Sequence, residues 1–136
     1  MGISTLSFLL FIVLGLFQTA ETSDKVDLGQ EFKIKNGEEV VVRDEKVRIK
    51  FRSVPMDSRC PSDVVCGWAG NGEVVVEVVR KNKKQRVATL NTLLDPKEIV
   101  YKGFKVRLVA LNPYPKVSDP INPKDYEATM IVTKEE

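Results

Sequence analysis

Past residue 24, short apolar segments alternate with polar residues at period two and are separated by turn formers. "EFKIK" at Glu31–Lys35 sets Phe32 and Ile34 on one face. Asn36-Gly37 follows as a strong hairpin signal, which predicts that "EEVVVR" returns beside it. In "KVRIKFRSV", Val47, Ile49 and Phe51 point one way and Arg48, Lys50 and Arg52 the other, the pattern of a half-buried strand. "GEVVVEVVR" (72–80) is a nearly continuous β-branched run that suits a central strand, and "KNKKQ" predicts a turn back into "RVATLNTL". "GFKVRLVAL" (103–111) sets Phe104, Val106 and Leu108 on one side. "DYEATMIVTK" alternates Tyr126, Ala128, Met130 and Val132. No segment of this region repeats apolar residues at helical spacing, and 95–100, opened by Asp-Pro, is expected to make at most one helical turn.

About seven short strands at regular spacing predict an all-β fold: a single antiparallel β-sandwich of Ig-like or Greek-key type, or a barrel. Parallel pairing would need crossover helices, for which no segment is available. Every proline falls in a loop or at a strand boundary, as the missing N–H requires.

The first twenty residues, "MGISTLSFLLFIVLGLFQTA", carry no charge and hold an apolar run at 8–17. The run is shorter than the about 20 residues that span a bilayer, and it matches a signal-peptide core. The expectation is a signal peptide at 1–20, or an uncleaved N-terminal anchor, followed by a single β domain at 21–136. Such a protein is secreted, periplasmic or cell-surface, and touches membrane only through the N-terminal segment if that is retained.

Composition narrows the chemistry. Twenty-one basic against 19 acidic residues give a net charge of +2, too weak a field to imply nucleic acid as a partner. Histidine is absent, which removes the commonest general base near neutral pH and the commonest metal ligand. Ser58 therefore has no histidine to activate it, and no spacing brings two carboxylates together as a glycosidase pair. A non-catalytic protein without a cofactor is expected.

"DSRCPSDVVCGWAG" (57–70) stands apart, with both cysteines, the only tryptophan, two aspartates and an arginine. Outside the cytosol, Cys60 and Cys66 are expected to form a disulfide, because two sulfurs without histidine make a poor zinc site and the spacing is not C-x-x-C. Three roles are open to the loop. It can brace one end of the sandwich, with Trp68 as a cap and Arg59 paired to an aspartate. It can be a rigid recognition surface presenting Arg59, Asp63, Trp68 and Tyr114. It can hold calcium or a small ligand through Asp57 and Asp63. "NPYP" (112–115) is a strand-terminating turn, whose Tyr114 could join Trp68 in one patch. "RKNKKQR" (80–86) lacks aromatics and is expected to be a solvated hairpin tip.

The run Asp57-Ser58-Arg59-Cys60-Pro61, then Cys66-x-Trp68-Ala69-Gly70, a valine-rich strand and Pro113-Tyr114-Pro115, resembles an uncharacterised family of small exported bacterial and archaeal proteins. Gly67 departs from that pattern, in which a bulkier apolar residue is common at this place. The resemblance implies a fold and a compartment and no activity. The function expected is an exported binding module whose partner is another exported protein or an envelope component. The alternatives are a purely structural envelope protein and a calcium or small-ligand binder.

Overall fold

A computed structural model describes residues 23–136. The 1–20 segment lies outside the described residues. Among the described residues nine strands form: β1 Asp24–Val26, β2 Glu31–Lys35, β3 Glu39–Val42, β4 Val47–Ser53, β5 Glu73–Arg80, β6 Arg86–Asn91, β7 Glu98–Tyr101, β8 Phe104–Asn112 and β9 Glu127–Lys134. They lie in two sheets, ordered β1-β3-β4-β5-β6 and β2-β9-β8-β7, which do not close into a barrel. Two antiparallel meanders, β3 to β6 and β7 to β9, thus each gain one N-terminal strand at an edge.

The alternation seen in the sequence places the core. Val47, Ile49 and Phe51 are fully buried while Arg48, Lys50 and Arg52 face water. Val74, Val76 and Val78 line the same layer, and Ile34, Val106, Ala128, Met130 and Val132 meet them from the other sheet. In β8 a bulge between Leu108 and Ala110 shifts the parity of the strand. Leu111 consequently turns inward although it lies three residues, an odd number, past the inward Leu108.

Three expectations about the strands change. The turn at Asn36-Gly37 forms, with Gly37 at φ 90° and the Glu38 amide donating to the Lys35 carbonyl, but it does not join a hairpin. β2 pairs with β9 and β3 with β4, so the turn carries the chain from one sheet to the other. Both flanking strands thereby aim their apolar faces, Ile34 and Val40, into one core from opposite sides. The 95–100 segment is no helical turn: after the cis peptide at Asp95-Pro96 it runs into edge strand β7, whose Ile99 and Tyr101 are buried. β1 lies parallel to β3, the exception to antiparallel pairing, reached by crossing between sheets rather than through a helix.

The two ends of the sandwich differ. At one end the strands are joined by short turns, including the solvated 81–85 tip and the Lys102-Gly103 turn, whose residues sit at φ 46° and 83°. Tyr101 ties that end together: its hydroxyl accepts from the Arg80 amide and donates to the Lys84 carbonyl. At the other end lie the long connections 54–72, 92–97 and 113–126.

Candidate functional site

The connection 54–72 starts as an extension of its strands. The Glu73 amide donates to Met56, the Ser58 amide donates to Asn71, and Asp57 bridges Gly72, so the arms stay zipped to residue 58. Ser58 Oγ locks this neck by donating to the Asn71 carbonyl and accepting from its amide, both at 3.0 Å. Gly70 lets the strands close: a Cβ there would stand 1.5 Å from the Ser58 carbonyl oxygen. Beyond the neck, the Cys60–Cys66 disulfide closes the tip across a Cα separation of 5.9 Å.

Arg59 is the post on which the loop end is built. Only 4% exposed, it donates Nε to Asp57 Oδ1 at 2.8 Å and Nη2 to Asp57 Oδ2 at 2.7 Å, a bidentate pair. Nη1 donates to the Leu111 carbonyl and Nη2 also reaches Pro113 O at 2.9 Å, which fixes the start of the 113–126 connection. The Tyr114 ring lies against the guanidinium, 4.6 Å from its carbon, and covers the pair. Tyr126 donates its hydroxyl to Asp57 Oδ2 at 2.9 Å. Arg59 is thus paired to an aspartate as expected, but its fork is consumed internally and offers no contact surface.

Burial pushes the Asp57 carboxyl up, and the hydrogen bonds from Arg59 and Tyr126, with the Arg59 charge, more than reverse this, so the group sits below the ordinary carboxylate value. Burial, and then the bond to Asp57, push the Tyr126 hydroxyl up to about 12. Each shift has a sign in stability. The depressed Asp57 stabilises the fold fully above its unfolded value of 3.8 and loses this as pH falls through the native value. The raised Tyr126 stabilises fully below 10.0 and loses this as pH rises through about 12. The stability advantage of the wild type over Tyr126→Phe is therefore expected to shrink between those two values; equal denaturation-curve gaps at both would contradict it.

Asp63 stands in water at the tip and is lowered by the backbone amides of Val117 and Ser118, to which it is bonded. Its Oδ1 accepts from Val117 N at 2.9 Å, and Oδ2 accepts from the Ser118 amide at 3.2 Å and hydroxyl at 3.0 Å. The Ser62 amide adds a bond to Pro115 O. The disulfide ring is clamped in this way to the 113–126 connection. Asp57 and Asp63 are engaged with different partners, and among the described residues no three acidic or cysteine side chains gather at a metal-binding spacing.

A second polar knot, which sequence reasoning missed, ties 92–97 to the same neck. Buried Asn71 donates Nδ2 to Asn91 Oδ1 and accepts on Oδ1 from the Leu93 and Leu94 amides, while Asn91 Nδ2 donates to Pro96 O. Thr92 and Gly72 exchange two further bonds. Asn71 lies next to Gly-rich turn signals and reads as a turn former, so only the fold shows it as a cross-link.

On this scaffold Trp68 is 80% exposed, not a cap on the core. Val65 is fully exposed and Val64 about half so, and Val117, whose amide Asp63 holds, is exposed as well. Tyr114 is half exposed, with one face on Arg59. Of the four residues expected to face a partner, Trp68 and Tyr114 remain available, Asp63 holds a neighbouring loop, and Arg59 is buried. Removing the disulfide as Cys60→Ala/Cys66→Ala is expected to cost about 2 kcal/mol by loop-closure entropy. Urea unfolding checks this, and the neck and clamp bonds should keep the domain folded.

Comparison with protein-family models, curated proteins and solved structures returns no match to this chain.

Proposed function

We propose that this protein is an exported, non-catalytic binding module that meets its partner with the loop end of the sandwich. One observation carries the proposal: an exposed tryptophan and exposed valines stand on a loop immobilised by a disulfide, a buried ion pair and clamp bonds to the neighbouring connection. A side chain that gains nothing from the fold, on a backbone already ordered, loses little entropy when it binds. Trp is also among the residues that most often dominate binding energy. The disulfide supports a non-reducing compartment, and the leader sequence and the resemblance to small exported proteins support export. The complete absence of histidine supports a non-catalytic role. The partner is another exported protein or an envelope component.

Trp68→Ala is expected to change stability by less than about 0.5 kcal/mol, since it removes an exposed side chain. The test compares retention of envelope components by the wild type and by Trp68→Ala/Val65→Asp at matched melting temperature. Loss of retention in the variant supports the loop end; identical retention shows that contact is made elsewhere.

A further inference from the structure

We infer that the loop end docks on a lipid bilayer, with Trp68 and Val65 entering the interfacial layer of a zwitterionic membrane. This rests on the binding reading above and names the partner.

Exposed apolar side chains are not spread evenly. Of the eleven large ones that face solvent among the described residues, eight lie in the three long connections at this end. Met56, Val64, Val65 and Trp68 come from 54–72, Leu93 and Leu94 from 92–97, and Tyr114 and Val117 from 113–126. The hydrogen bonds already described tie these connections together, so the residues move as one body. Val65 and Trp68 project with almost no neighbouring cover, a geometry suited to a penetrable phase. Tryptophan in particular favours the boundary between headgroups and acyl chains.

Topology supplies the orientation. β1 runs parallel to β3 and away from the loop end, with Asp24 opposite Val40 and Val40 opposite Ile49 in mid-β4, so the chain enters Asp24 from the loop-end side. β1 lies two strand spacings, about 10 Å, from β4. The apolar run ends at Phe17, and seven residue steps to Asp24 reach at most about 25 Å. Whenever that run is held in a bilayer, the chain therefore enters the domain from the side on which the loop end lies.

Charge selects the lipid. The connections at this end, with the 36–38 turn, carry Arg59, Lys97, Lys116 and Lys124 against six acidic residues. An acidic excess gains nothing from anionic headgroups, so burial of apolar surface must drive docking.

Trp68 is the only tryptophan, so its emission reports this contact alone. Full-length chain is mixed with phosphatidylcholine vesicles, with and without lipids brominated high on the acyl chain. The expected result is a blue shift of Trp68 emission, loss of emission to the brominated lipid, and protection from aqueous acrylamide. Val65→Asp should weaken all three with its circular dichroism unchanged. Added phosphatidylglycerol should bring no gain. Vesicle-bound protein whose Trp68 stays open to acrylamide would overturn lipid docking while leaving a protein partner for the loop end. So would failure to bind, or binding only to anionic vesicles with Trp68 still in water, which would place the basic 80–86 hairpin on the membrane.

Discussion

Arg59→Met is expected to lower the free energy of unfolding by about 3–5 kcal/mol, because it strips the counter-charge from a carboxylate that stays buried. The side chains of Arg59 and Asp57 are 2% and 9% exposed, so water cannot replace the lost partner. The substitution also leaves the Leu111 and Pro113 carbonyls without their donor. Urea unfolding should show a lower midpoint at an unchanged slope. Asp57→Leu/Arg59→Met removes both charges and should recover much of the loss, since the cost lies in an unpaired buried charge more than in the missing attraction. A single-variant loss under about 1 kcal/mol would show that the pair does not brace the loop end.

Gly70→Ala is expected to be at least as damaging, about 4 kcal/mol or more, because the new methyl group has nowhere to go. Its position would be 1.5 Å from the Ser58 oxygen, 2.3 Å from the Ser58 carbonyl carbon and 2.8 Å from the Arg59 nitrogen, all backbone atoms. Relief requires the neck to part, breaking the Ser58–Asn71 bonds that hold it closed. Gly67→Ala is the control, for nothing lies within 4 Å of a Cβ there, and its effect should stay within about 0.5 kcal/mol. Thermal melts of the two variants separate a steric cause from a generic sensitivity of the loop to substitution. A side chain added at position 67 would meet open space here.

Seven of the nine strands found among the described residues were legible: β2, β4, β8 and β9 from period-two alternation, β5 from its β-branched run, and β3 and β6 from the turn signals before them. β1 and β7 have three and four residues, too few for alternation to stand out. Asn36-Gly37 misled because a turn signal is local. It specifies that the chain bends and leaves open which strands pair, and here the pairing is decided by the apolar faces of β9 and β4. At the site, Arg59 beside two aspartates suggested an ion pair, which exists. Its burial was not legible, since Leu111, Pro113 and Tyr126, separated from it by more than fifty positions, build the enclosure. Trp68 suggested packing because tryptophans beside disulfides often pack. The sequence holds no sign that Trp68 stands in water beyond the neck instead.

The pairing of β2 has a consequence for how the molecule is made. β9 is the neighbour of both β2 and β8, so the second sheet is organised around a strand that follows both of them in the chain. Ile34 lies opposite Ala128, a contact between residues more than ninety positions apart. Such distant pairing is slow to form and cannot begin early. Until residues 127–134 emerge, β2 and β8 lack their common spine and the core lacks a cover. The nascent chain therefore cannot close its second sheet before residues 127–134 are available, and until then it stays open and unpaired there.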